Sequence, residues 1–310
     1  DPHVVKIDLG GMITLPIAVF GFVYLITQGH ELSLASGTGQ EIIAISIASL
    51  LLFIIIELKS QRPIFDFKAF RIRNFSVALL GASGMNFSFW PFVIYFPLYL
   101  QSVLGYSSVV AGLIVLAYTL PTIVVPPYAE RLLQKRGPGF IIPVGLFTIA
   151  IGFAVLHITI SSGHASWLTL LPGCLIAGVG LGLTNTPVTN TSTGSLPPER
   201  AGMASGMEFS ARMISLAVNI AVMGFVLLSG VSAELVHSVN VDSLASVANT
   251  IAAGNFNAEL LGGVNVAAAH DAFVNGISWV TLYGTLAPAI LGLLARLISQ
   301  KKSSKQIATS

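Results

Sequence analysis

The 310-residue chain is 54% hydrophobic and 9% charged, with a formal net charge of +2 and a mean hydropathy of +0.83. That composition excludes an ordinary soluble domain. The lone Cys174 excludes an internal disulfide and a cysteine metal cluster, and it reads as a small packing residue.

No Asp, Glu, Lys or Arg occurs in residues 75–129 or 137–198. Each stretch exceeds one bilayer crossing of about 20 residues. In hydrocarbon the backbone must pair internally, so the choice is helices or a closed barrel. Continuous runs such as "SLLLFIII" and "PVGLFTIAIGFAVL" lack the alternation of barrel strands, which leaves helices. The expected fold class is therefore an all-α integral membrane protein. The chain starts at Asp1 and enters an apolar run within nine residues, with no signal-peptide pattern, so we expect an internal start in a longer polypeptide.

In chain order the apolar runs predict eight spans, at 9–28, 41–57, 75–101, 109–129, 140–161, 167–189, 209–230 and 272–297. The second has only 15 residues between Glu41 and Glu57, so its ends are expected near the headgroups. "LGYSS" (104–108) and "SSGHAS" (161–166) divide the two uncharged stretches as tight turns. An even count puts both termini and alternate loops on one side, and that side then holds all 15 Lys and Arg. The opposite loops hold Glu31, Glu41, Glu234, Asp242, Glu259 and Asp271. The positive-inside rule makes both termini cytoplasmic, with Trp167 and Trp279 as outer interface anchors. The basic loop "LKSQRPIFDFKAFRIRN" then reads as an inner-leaflet contact, not a nucleic-acid surface. The outer segment 231–271 reads as a solvated connector. Within it, "VDSLASVANTIA" (241–252) carries the pattern of a short amphipathic helix lying at the surface.

Polar groups inside spans are functional candidates, because burial without a partner is costly. The third span sets Asn86 among Phe87, Phe89, Trp90 and Tyr95, with Pro91 and Pro97 interrupting the helix. A kinked aromatic helix with one amide suits a cavity for lipophilic compounds, cations included. The other reading is aromatics facing lipid or neighbouring helices. Tyr118 and Thr119 precede Pro121, where hydroxyls can compensate a freed carbonyl. Gly178, Gly180 and Gly182 permit close helix contact. Asn185, Thr186, Thr189 and Asn190 follow, as a vestibule lining or as caps of a frayed end. Asn219 either bonds a neighbouring helix or touches substrate. Glu208 and Arg212 are spaced for a helical ion pair at the start of the seventh span, with headgroup anchoring the simpler role. His157 reads as a packed or interfacial residue. Phosphate-loop, zinc-protease and nucleophile–base patterns are absent from the sequence, so an enzyme is not expected.

The stretches "ELKSQRPIFDFKAFRIRNF", "YLQSVLGYSSVVAGLIVL", "LPGCLIAGVGLGLTNTPVT", "LPPERAGMASGMEFSARMIS" and "AFVNGISWVTLYG" resemble the C-terminal part of the fourteen-span drug:proton antiporters of the major facilitator superfamily. The resemblance runs in order over the whole chain. It implies two linker helices (1–57), a cytoplasmic basic loop (58–74) and a C-terminal six-helix bundle (75–310), with an outer loop (231–271) and a cytoplasmic tail (298–310). "PPYAERLLQKRGPGF" occupies the place of the family's gating loop as a degenerate copy. Arg131, Lys135 and Gly137 fit it, Gln134 replaces the acid, Gly139 replaces a basic residue, and Glu130 or Arg131 is the candidate compensation.

The resemblance further implies export of small amphipathic compounds against protons by alternating access. The implied location is a bacterial inner membrane. No cofactor is implied beyond the proton gradient. The implied partners are the lipid bilayer, the N-terminal bundle of the same polypeptide and, as a candidate, a periplasmic adaptor. None of the acids here falls mid-span, and the resemblance implies that the coupling carboxylates belong to that N-terminal bundle. The alternatives are an exporter of an endogenous metabolite or siderophore, or a non-transporting membrane subunit.

Overall fold

The structure, a computed structural model, describes residues 8–28, 36–60, 63, 65–87, 89–236 and 241–300. Among the described residues it contains helices and no strand. Twelve α-helices run in order: α1 (Leu9–Thr27), α2 (Gly37–Lys59), α3 (Arg73–Asn86), α4 (Phe89–Ser102), α5 (Ser108–Thr119) and α6 (Pro121–Val124). They continue as α7 (Pro126–Arg136), α8 (Pro138–Ser161), α9 (Trp167–Gly194), α10 (Ala201–Leu235), α11 (Val241–Ala252) and α12 (Val266–Gln300). Among the described residues six of these, α1, α2, α8, α9, α10 and α12, are long and apolar enough to cross a membrane. A seventh crossing results if α5–α6 and α7, bent by 45°, count as one. The expected third span is two 14-residue helices, α3 and α4.

Helix ends are set by local hydrogen bonding that hydropathy does not report. The Ser36 hydroxyl accepts from the Gly39 amide and starts α2 at Gly37, so Glu41 lies within the helix and not at its edge. α10 starts at Ala201, not at 209, and α9 runs past 189 to Gly194. Pro91 falls in the first turn of α4, where an N–H has no helical partner to lose. α4 continues through Pro97, so the interruption lies upstream of both prolines. The expected gating loop is also different: it is the helix α7, ended by Gly137 at φ +76°. A one-residue turn then leads into α8.

Two backbone seams hold the centre of the bundle. α8 and α9 approach so closely that a Cβ on Gly152 would collide with the Ala177 amide nitrogen. One on Gly180 would lie 2.5 Å from the amide nitrogen of Ile149 and 2.8 Å from the Gly145 carbonyl. Gly178 and Gly182 face the other way, toward the Tyr118 carbonyl and Val125 at the proline break between α5 and α7. α1 and α2 form a hairpin, tied by the Ser49 hydroxyl donating to the Thr14 carbonyl at 2.9 Å, and α1 also lies against α10.

α11 is the amphipathic helix at 241–252, but it does not lie loosely at a surface. Val247, Ala248 and Ile251 are buried, and with Leu261 and Val264 they join the main core. Phe256 meets His270 edge-on at 4.3 Å, which pins the following turn to α12. The expected solvated connector is, over this stretch, a packed cap.

Candidate functional site

A stripe of polar residues runs along one face of α10: Glu208, Arg212, Ser215 and Asn219. Their spacing of four, three and four residues keeps them in line on a 3.6-residue helix. Glu208, Ser215 and Asn219 are buried and Arg212 is half-buried, so each needs a hydrogen-bond partner.

The partners form a continuous chain of hydrogen bonds. Arg212 donates through Nε to Glu208, through Nη1 to Asn185 Oδ1 at 2.6 Å and through Nη2 to Thr189 Oγ1 at 3.0 Å. Asn86 Nδ2 donates to the Arg212 carbonyl at 2.7 Å and to Ser215 Oγ at 3.3 Å. Asn86 ends α3, so its own carbonyl has no helical acceptor role to play. Asn219 Nδ2 donates to that carbonyl at 2.8 Å, while Asn219 Oδ1 accepts from the Tyr283 hydroxyl at 2.6 Å. Four helices, α3, α9, α10 and α12, are thereby joined at the point where the third expected span is interrupted.

Beside this seam opens a recess of about 660 Å³, within the range of roughly 300–1,000 Å³ that holds drug-sized molecules. Asn86, Trp90, Thr189, Glu208, Arg212 and the apolar side chains Phe209, Met213 and Leu216 line it. Trp90 and Phe209 stand open at 44% and 60% exposure. The recess thus combines apolar walls with one ion pair and a few hydroxyl and amide groups.

Sequence reasoning brings Asn86 and Trp90 to this recess, and the structure seats both there. Other candidates sit elsewhere. Tyr118 is fully buried and stacks on Phe89 at 4.0 Å, in an aromatic core completed by Phe92 and Phe153. Tyr95 donates to the Ile220 carbonyl at 3.0 Å and serves contact between α4 and α10. Asn219 has no exposed surface and lies behind the recess wall. Asn185 accepts from Arg212 and is not among the residues that line the recess.

The ion pair requires a correction. Because α10 begins at Ala201, Glu208 and Arg212 lie about two and three turns inside it. Glu208 is 4% exposed, so the pair is packed among helices and is not a simple headgroup anchor. Ser215 and Tyr283 are the functional-seam residues that sequence reasoning misses. The stripe spacing from Glu208 through Asn219 is the signal that finds Ser215. Tyr283, 64 positions beyond Asn219, has no local signal.

In the gating stretch, Glu130 accepts from Asn190 Nδ2 at 2.7 Å, which ties α7 to α9. Asn190 is therefore a cross-helix donor and not a cap. Arg131 and Lys135 are exposed, and neither has an ion-pair partner among the described residues. His157 Nδ1 lies 3.0 Å from the Ser278 carbonyl, a packed histidine between α8 and α12.

A seam that joins helices of a bundle beside an aromatic recess is the kind of site found in helical transporters. A family model described as Major Facilitator Superfamily matches residues 9–220. The chain belongs to the Major Facilitator Superfamily. It is a multi-pass membrane protein. Multidrug resistance protein Stp of Mycobacterium tuberculosis is 30% identical over 230 residues, 74% of this chain and 42% of that protein. Quinolone resistance protein NorB of Staphylococcus aureus is 30% identical over 252 residues, 80% of this chain and 52% of that protein. The chain spans about half the length of the curated relatives it matches.

Proposed function

We propose that this chain forms the C-terminal part of a drug exporter that moves amphipathic compounds by alternating access, driven by protons. The recess beside the Glu208–Arg212 pair carries the reading. It offers apolar and aromatic surface with a few convergent polar groups. The names of the relatives support drugs as cargo. The partial coverage of those relatives fits a chain that supplies part of a longer protein, and the last eight of fourteen spans is the part that the resemblance implies. In that count α3–α4 form one interrupted span and α5–α7 one bent span.

The inner membrane, with both ends cytoplasmic, is the location that the one-sided basic residues favour. Ser246→Cys should label only from outside. Ser303→Cys, at a position outside the described residues, should label only from inside. An inverted pattern sinks the orientation.

Export is tested with the protein as its complete reading frame encodes it, in everted membrane vesicles. Imposing a proton gradient should drive uptake of ethidium or norfloxacin, and an uncoupler should abolish it. Uptake indifferent to the gradient would remove proton coupling, and no uptake of any compound would remove the exporter reading.

A further inference from the structure

Of the two charges that line the recess, the positive one is the more exposed. The Glu208 side chain retains 6% of its surface and is already bonded by Arg212, whose side chain retains 15%. A guanidinium has five N–H donors. Three are engaged among the described residues, by Glu208, Asn185 and Thr189. Two remain, one on each terminal nitrogen, enough for the two oxygens of a carboxylate. Planar guanidinium groups favour that bidentate geometry.

The surroundings discriminate in the same direction. A permanent cation finds the acid already neutralised and meets the guanidinium as a like charge. A carboxylate finds unused donors, with Trp90 and Phe209 available to an aromatic body. Asn185 and Thr189 both accept from the guanidinium, so its orientation is fixed before a ligand arrives.

We infer that the recess takes aromatic amphipathic ligands bearing a carboxylate, alone or as one end of a zwitterion, in preference to permanent cations. Arg212 is the residue that sets this specificity. The inference rests on reading the recess as the substrate site, and it narrows that reading to a chemical class.

The test uses the protein from its complete reading frame, reconstituted in nanodiscs, with binding measured by equilibrium dialysis. The probes are norfloxacin, its methyl ester and ethidium. The acid should bind about tenfold more tightly than the ester, the scale of a charge-assisted hydrogen-bonded pair. In Arg212→Gln the acid-to-ester ratio should fall toward one. In Arg212→Lys, which keeps the charge and loses the fork, the ratio should fall in part. In Glu208→Gln the released guanidinium should bind the acid more tightly. Opposite shifts in Arg212→Gln and Glu208→Gln cannot come from a shared folding defect. If Arg212→Gln is not recovered, Arg212→Lys and Glu208→Gln decide. Binding of all probes with an acid-to-ester ratio near one, or a ratio untouched by these variants, overturns the inference and leaves the exporter reading standing. Failure to bind any probe overturns both.

Discussion

The seam between α8 and α9 and the seam around α10 solve the same problem with opposite materials. α8 and α9 meet backbone to backbone, with Gly152 and Gly180 removing the side chains that would separate them. Such a contact has a single arrangement, because no rotamer change can reproduce it. Around α10 the helices are held by Arg212, Asn86, Asn219 and Tyr283, whose hydrogen bonds can be exchanged for others. Alternating access needs packed surfaces with two available arrangements. On the alternating-access mechanism proposed above, α8–α9 would be the static frame and α10 would carry the adjustable contacts.

The largest expected effect comes from attacking the frame. Gly152→Leu drives a side chain into the backbone of α9 at Ala177. Overpacking of this kind costs about 3 kcal/mol, and the purified protein should lose its sharp melting transition in detergent. Retention of the wild-type melting temperature would show that α8 and α9 can separate freely, and the contrast between the seams would fall.

Next in size is Arg212→Ala, which strands the Glu208 carboxylate. Breaking a buried pair from one side costs several kcal/mol, and the partial exposure of Arg212 reduces this to about 2 kcal/mol. Glu208→Ala/Arg212→Ala should be less destabilised than the sum of the single variants, by about 1 kcal/mol or more. Additive single effects would mean that the pair is solvated and not part of the seam.

Asn219→Ala removes both the donor to the Asn86 carbonyl and the acceptor of the Tyr283 hydroxyl. Hydrogen bonds between membrane helices contribute about 0.6 kcal/mol on average, so a loss of about 1 kcal/mol is expected for the two. The melting temperature should fall modestly, and Tyr283→Phe should recover little further loss when combined with it. An Asn219→Ala protein as stable as wild type would mean that the α3 end finds another donor.

How much of this was readable depends on what each residue answers to. The bilayer forbids unpaired charge, so the span positions near 9–28, 140–161 and 167–189 follow from composition, and α1, α8 and α9 occupy them. Helix ends answer instead to caps and to neighbours. "AGMASGMEFSAR" has weak hydropathy yet belongs to α10, and that extension moves Glu208 and Arg212 from a surface to a seam. Asn86 and Trp90 were legible because an amide beside open aromatics is unusual in a span. Tyr118 carried the same chemistry and lies in the core, stacked on Phe89. Only the packing of distant helices separates those two outcomes, and no spacing along the chain encodes it.

The smallest stability effect belongs to Trp90, and it distinguishes wall from seam most sharply. Asn86 makes three hydrogen bonds through its side chain and carbonyl, so Asn86→Ala should lower the amount of folded protein as well as altering binding. Trp90 is 44% exposed and lines the recess. Its contact with Phe89, edge-on at 5.4 Å, is the ring pair it would lose. Trp90→Ala should therefore shift stability by no more than about 0.5 kcal/mol, as expected for an open position, while weakening aromatic ligands several-fold. Measuring melting temperature and norfloxacin binding on the same preparation separates the two quantities. A large fall in melting temperature with unchanged binding would make Trp90 a packing residue like Tyr118, and the proposed ligand site would lose its aromatic wall.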